Sequence, residues 1–286
     1  MQALIAGEIL NGFATGMLYA LAGAGLSLIL GVLNIPNFAH GTLYALGAYL
    51  TFSLVKVSGS FYLAVALAPL AVIAVGLVLE SQATRRLYSA SHDYQLLLLF
   101  ALSLILQEII LIIWGPVGFS VLPPEALSST IDFGFVAYPV YRLFLIAVSL
   151  AVIIGLWLFL SQTNVGAILR AGMENREMVA ILGFDINRIF LWAFGLGAYL
   201  AGLAGALAAP VVGLTPSMGG DMLPICFAIV VIGGLGSILG AIFSGILIGM
   251  CQSLTSVWWP QGSNLAIYLF MGLVIMARPQ GFFGTR

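Results

Sequence analysis

From Ile9 to Val55 the chain carries no Asp, Glu, Lys or Arg, and from Met222 to Ala277 it carries none again. A chain folded in water cannot bury runs of that length and still cover itself with polar groups. Soluble domains have roughly a quarter charged residues, whereas this chain of 286 residues has 7%. Lipid must therefore be the solvent for much of its surface. A formal net charge of -1, without any basic run interleaved with aromatics, offers nothing for a nucleic acid to bind. No charged leader with a small-residue cleavage site precedes the first apolar segment, so that segment is expected to stay as an anchor. Cys226 and Cys251 lie in apolar runs and match neither a CxxC pair nor a metal-ligand spacing, which makes them buried free thiols.

A spanning helix needs about 20 apolar residues. Ile9–Leu33, Thr42–Val55 with its approach, Phe61–Leu79, Leu96–Trp114, Val140–Leu160 and Ile189–Val211 are candidates. The run from Met222 to Ala277 would extend about 84 Å as one helix, so it must break. Its natural breaks are GGLGS at Gly233–Ser237 and WWPQGS at Trp258–Ser263, leaving Met222–Ile232, Ile238–Ser256 and Asn264–Met276. The first of these is short and reads as a broken or glycine-hinged helix facing protein. The expected fold is an all-α integral membrane protein, a polytopic helical bundle of about eight or nine transmembrane helices with broken helices. It forms one transmembrane domain over residues 1–286.

Orientation follows from the basic residues. Arg85 and Arg86 share one loop, Arg170, Arg176 and Arg188 another, and Arg278 and Arg286 end the chain. The long connection Gly115–Pro139 has Glu125 and Asp132 but no Lys or Arg. The positive-inside rule places the three basic segments in the cytoplasm, including a loop over residues 161–188. Small residues recur four apart at Gly12 and Gly16, Ala201 and Gly205, Gly236 and Gly240, and Gly245 and Gly249, a spacing that lets helices in lipid approach closely.

Catalytic signatures are missing from the sequence. No GxxxxGK[ST] occurs, GGLGS follows no strand of a βαβ unit, and neither an HExxH motif nor a Ser/His/Asp set is visible. The chain is thus expected to be no enzyme, to bind no metal and to hold no cofactor of its own.

Three features carry functional readings. NIPNFAHG (Asn34–Gly41) interrupts the first charge-free run. Its Asn, Pro and Gly suit an interhelical turn, and equally a discontinuous helix whose ends meet ionic groups of a substrate. On the second reading Asn34, Asn37, His40 and Gly41 line a translocation path. Glu108 stands beside Gln107 deep inside LLLLFALSLILQEIILIIW. An intramembrane carboxylate is a functional-site candidate by default; it belongs to the path, or it joins two helices or a partner subunit. Glu174–Phe184 places Met178, Ile181 and Leu182 on one helical face, with Glu174, Arg176 and Glu177 beside it and Gly183 able to end the helix. Such an amphipathic helix suits a partner's groove; the alternative is an interfacial helix on lipid headgroups, where Glu174 and Glu177 would be poorly placed beside an anionic leaflet.

YALAGAGLSLILGVLNIPNFAHGTLYALGAY (Tyr19–Tyr49) resembles the branched-chain amino acid ABC transporter permeases of the LivH/LivM type. The likeness continues at SLILQEIILIIWGP (Ser103–Pro116), RAGMENREMVAILGFDINRI (Arg170–Ile189), GLAGALAAP (Gly202–Pro210), GGLGSILGAIFSGILIG (Gly233–Gly249) and RPQGFFG (Arg278–Gly284), and is closer to the LivH half. The resemblance implies a multi-pass subunit of the bacterial inner membrane that imports branched-chain or related apolar amino acids. It implies a second, LivM-like permease, two LivG/LivF-like ATPase subunits that bind ATP and Mg, and an extracytoplasmic substrate-binding protein. The segment holding Glu174, Arg176, Glu177, Met178 and Gly183 then resembles the part that docks into the ATPase. A self-contained secondary transporter or a channel for small polar solutes is the alternative.

Overall fold

Four glycines bring the first and tenth helices into backbone contact. A Cβ on Gly12 would lie 2.8 Å from Met250 Cα, one on Gly16 2.8 Å from Ile246 Cα, and one on Gly245 2.6 Å from Ala20 N. Without a hydrophobic drive between helices in lipid, such approach supplies the dispersion contacts that hold them. Two of the four small-residue pairs read from the sequence, Gly12 with Gly16 and Gly245 with Gly249, thus form the seam between α1 and α10.

A computed structural model describes residues 2–284 apart from Ser89, Phe133 and Phe135. Arg286 and the side chain of Arg176 fall outside the described residues. The helices are α1 (Gln2–Leu33), α2 (His40–Ser58), α3 (Phe61–Val78), α4 (His92–Trp114), α5 (Val140–Gln162), α6 (Asn164–Glu174), α7 (Arg176–Ile181), α8 (Ile186–Val212), α9 (Met218–Gly233), α10 (Ile238–Trp258) and α11 (Ser263–Ala277). A short antiparallel hairpin, β1 (Thr130–Asp132) and β2 (Ala137–Pro139), decorates the 115–139 connection. Among the described residues, seven helices are long and apolar enough to cross a membrane: α1, α3 with its continuation to Leu87, α4, α5, α8, α10 and α11. The protein is an all-α, multi-pass membrane protein.

Of the two remaining long segments, α2 packs inside the shell, and α9 packs against it with one side exposed. Eleven residues of α2 are buried, from His40 to Thr51. At 16 residues, α9 is short, as expected, but it is continuous through Pro224 rather than hinged, and ends at Gly233. The C-terminal tail closes that end, with Phe282 N and Phe283 N donating to Ile232 O and Gly233 O at 2.8 and 3.0 Å. Those are carbonyls that a helix terminus leaves without partners.

The segment 161–188 also differs from the expectation of a single helix over Glu174–Phe184. Thr163 caps α6 by accepting from Gly166 N, and Asn175 starts α7 by accepting from Met178 N at 2.9 Å. Glu174 is therefore the last residue of α6 and does not share a helix with Glu177 and Met178. Gly183 ends α7 as expected: at φ 87°, its N–H donates to Ala180 O and that of Phe184 to Val179 O. This is the Schellman pattern of a glycine C-cap. Of the thiols, Cys226 is buried and Cys251 only partly so; both are free.

The glycine seam can be tested directly. Gly249→Leu forces a side chain into the α1 backbone at Gly16, and overpacking of this kind costs about 1–3 kcal/mol or more. Gly155→Leu on α5 meets nothing within 4 Å. Thermal unfolding of the purified protein should show Gly249→Leu strongly destabilised and Gly155→Leu unchanged.

Candidate translocation path and coupling surface

NIPNFAHG folds as a re-entrant break. Asn34 takes a left-handed conformation (φ 58°), its N–H donating to Leu30 O at 2.8 Å, and α1 stops there. Pro36 has no N–H with which to continue the helix. His40 Nε2 then donates to Ala22 O at 2.8 Å, and its ring lies so close to Gly25 that a Cβ there would meet Cε1 at 3.0 Å. Ala22 and Gly25 lie about 12–16 Å back from the end of α1. The chain thus turns at Asn34, runs back into the bundle and begins α2 at depth.

The residues of this break have different surroundings. Asn37, His40 and Gly41 are enclosed by the protein's own helices, whereas Asn34 is exposed. Asn37 Oδ1 accepts from Ala39 N at 3.1 Å, and Asn37 O accepts from His40 N. Because a carbonyl only accepts, His40 carries its proton on Nε2, which leaves Nδ1 as an acceptor. Neither His40 Nδ1 nor Asn37 Nδ2 has a partner among the described residues. Gly41 sits against Gly219 of α9 so closely that neither position has room for a side chain. Between them Phe38 contacts Phe100 of α4 and Phe227 of α9, with ring centroids at 6.2 and 5.5 Å.

Polar cavities lie at the two ends of the bundle. One of about 610 Å³ brings Asn34 together with Arg170, Met173 and Glu174 of α6, Gly236 and Phe283. Of the expected path residues only Asn34 lines it. The other, of about 320 Å³, lies where Glu8, Asn11 and Thr15 of α1 face Arg142 of α5 and Gln252 and Ser253 of α10. Asn11 bridges the two charges, donating to Glu8 Oε1 at 3.2 Å and accepting from Arg142. Ser253 Oγ donates to Glu8 Oε2 at 2.6 Å, and further in Tyr19 donates to Gln252 Oε1 at 2.8 Å. Sequence reading missed this polar stripe. Its signal was the helical spacing of Glu8, Asn11, Thr15 and Tyr19.

Glu108 is not gathered with the break. It stands exposed on α4, and the two ion pairs among the described residues, Arg85–Glu80 and Arg188–Asp185, do not involve it. Glu80 is itself buried, and with Arg85 and Tyr88 it pins the connection between α3 and α4. Burial, reinforced by the neighbouring Glu80 carboxylate, pushes the Tyr88 hydroxyl well above the usual phenol range, which keeps it the donor in that contact. Its ring packs edge-on against Phe190 of α8 at 4.7 Å.

The coupling candidates form a surface. Met178, Ile181, Leu182 and Phe184 are exposed, Ile181 by 78%, while Val179 of α7 is buried. Glu174 and Glu177 are exposed. Beneath them α6 is seated on the bundle: Met173 Cε would meet a Cβ on Gly31 at 3.0 Å, and a Cβ on Gly172 would lie 3.2 Å from Ile189.

Seven apolar spans around a sheathed polar break, with an amphipathic platform at the basic end, make this a multi-pass membrane protein. The chain belongs to the family described as branched-chain amino acid transport system / permease component, which matches residues 8–278. It is 28% identical to the high-affinity branched-chain amino acid transport system permease protein BraD of Pseudomonas aeruginosa, over 97% of this chain and 95% of that one. It is also 28% identical to the probable permease LivH of Methanocaldococcus jannaschii, over 94% and 89% of the two chains. LivM of Salmonella typhimurium matches at 28% identity over 93% of this chain and 67% of its own. Among solved structures, PsaBC from Streptococcus pneumoniae in complex with Fab aligns with a TM-score of 0.45 at 14% identity, covering 96% and 90%.

The burial difference within the break gives a direct expectation. In a background with Cys226 and Cys251 replaced by alanine, a cysteine at Asn34 should react with a small maleimide in the resting protein. One at Asn37 should be protected at least tenfold by comparison. Equal labelling rates would show that the break is open to water.

Proposed function

We propose that this chain is the permease subunit of an ATP-driven importer of the bacterial inner membrane, carrying branched-chain or related apolar amino acids. A second permease completes the path, two ATPase subunits bind ATP and Mg and supply the energy, and an extracytoplasmic binding protein delivers the substrate. The observation that carries this reading is the exposed apolar face of α7. Met178, Ile181, Leu182 and Phe184 stand out from the basic end of the bundle, where a helix lacking a partner would not keep them. The names of the relatives support the substrate class.

The contacts supply a route for coupling. Docking of the ATPases on α7 bears on α6; Met173 of α6 bears on Gly31 near the end of α1; and α1 ends at the break. Movement there would open the enclosed polar groups Asn37 and His40 to a shared path, with Gly41 as the pivot against α9. Asn34, beside Arg170 and Glu174, faces the cytoplasmic exit of that path. Met178 is the anchor on the ATPase, Gly183 sets the end of α7, and Glu174 and Glu177 supply charge beside it, a role the sequence also offers to Arg176.

Reconstitution with the ATPase subunits and binding protein tests this reading. Labelled leucine, isoleucine or valine should enter vesicles only with ATP. Met178→Glu combined with Ile181→Asp should lower uptake more than tenfold and release the ATPases while leaving the bundle folded. Uptake without ATP, or undiminished in the double variant, would refute it.

The orientation has its own check. With the native cysteines replaced, a cysteine at Ser128 should react with an impermeant thiol reagent outside intact cells. One at Ser161 should react only after the cells are opened. The reverse pattern would turn the α7 platform away from the cytoplasm.

A further inference from the structure

Glu108 points out of the bundle. The side of α4 that faces the protein runs through Leu99, Ser103, Leu106, Ile110 and Trp114. Leu99, Leu106 and Ile110 are buried, Ser103 hydrogen-bonds Thr42 at 2.9 Å, and Trp114 Nε1 donates to Ser53 at 2.7 Å. At about 100° per residue, Glu108 lies about 160° from the centre of that line. Its neighbours on the outer face, Leu104, Ile105, Ile109 and Ile112, are all exposed. The nearer end of α4 is Trp114, about 9 Å away along the axis, further than a glutamate side chain reaches to water.

In an isolated subunit this carboxyl group would stand in hydrocarbon, where ionisable groups are expensive and almost always turn toward protein or a water-filled cavity. A second element on the same side is equally unsuited to lipid. At 16 residues, α9 extends about 24 Å against a hydrocarbon core of about 30 Å. It exposes Gly220, Asp221 and Pro224. Phe38 touches both helices, through Phe100 and Phe227, so the two surfaces are neighbours.

We infer that the outer face of α4 around Glu108, continued by the exposed side of α9, is where the second permease docks, and that the partner presents a hydrogen-bond donor to Glu108 at membrane depth. This rests on the paired-permease reading above. It commits the partner to α4 and α9 rather than to the equally exposed but uncharged outer face of α5. It also places Phe38, and with it the break, at the edge of the path the two subunits share.

The assembled importer provides the test. A photoreactive benzophenone side chain at Leu104 or at Ile112, one turn before and after Glu108, should cross-link to a permease. The same group at Trp157, exposed on α5, should not. Glu108→Arg should reduce the amount of co-purifying second permease at least tenfold, and Glu108→Gln should leave it within twofold. If the two permeases stay associated while Leu104 and Ile112 capture only lipid, or if Glu108→Arg pairs normally, this docking face is wrong and the pairing stands. If only one permease is present per complex, the pairing itself fails and the docking face with it.

Discussion

Irregular backbone at membrane depth must be sheathed by protein or water, since lipid offers its N–H and C=O groups no partner. The break between α1 and α2 imposes that condition on the whole bundle. Residues 34–39 leave α1 at one end and return to the level of Ala22 before α2 begins. A segment that runs back inside the bundle needs helices on every side, which explains why α2 lies within it and why α9 approaches to glycine contact at Gly41 and Gly219. It also explains the four-glycine seam. With α1 lined on one side by the returning chain, α10 must come to backbone distance on another to keep the core filled.

Much of this was legible because lipid simplifies the rules. Long charge-free runs mark spans, small residues four apart mark close contacts, and Gly183 marked the end of α7. What stayed hidden depended on where side chains point. The motif NIPNFAHG announces a break but not its direction, so the enclosure of Asn37 and His40 could not be distinguished from exposure to a path. Asn175 reads as one more polar residue in a charged loop, although its side chain starts α7 and so divides the segment into two helices. Glu8 lies just outside a charge-free run. Only the packing of α1 on α10 and α5 joins it to Arg142 and Ser253. Polar spacing on a single helix says little until the facing helix is known.

The two ends of the bundle differ in a way that suits vectorial work. At one end Glu8, Asn11, Arg142 and Ser253 satisfy one another directly, a network that rigidifies once its members are paired. At the other, the cavity beside Asn34 separates α6 from the tail and the Gly236 turn, and Met173 of α6 rests on α1 at Gly31. Force applied to the α6–α7 platform would therefore bear on α1 one turn before the break.

The break itself is not at rest in the energetic sense. A buried polar group without a partner costs about 1–3 kcal/mol, and Asn37 Nδ2 and His40 Nδ1 are two such groups within four residues of one another. That cost would be relieved wherever water or a polar solute reached them. For a permease working by alternation between states, as proposed above, this narrows the gap between closed and open forms to a range that binding energy can bridge. It also gives the polar residues of NIPNFAHG a reason to be polar even where they are enclosed: leucines would lose the bonds to Ala39 N and Ala22 O and would offer nothing for a polar solute to meet.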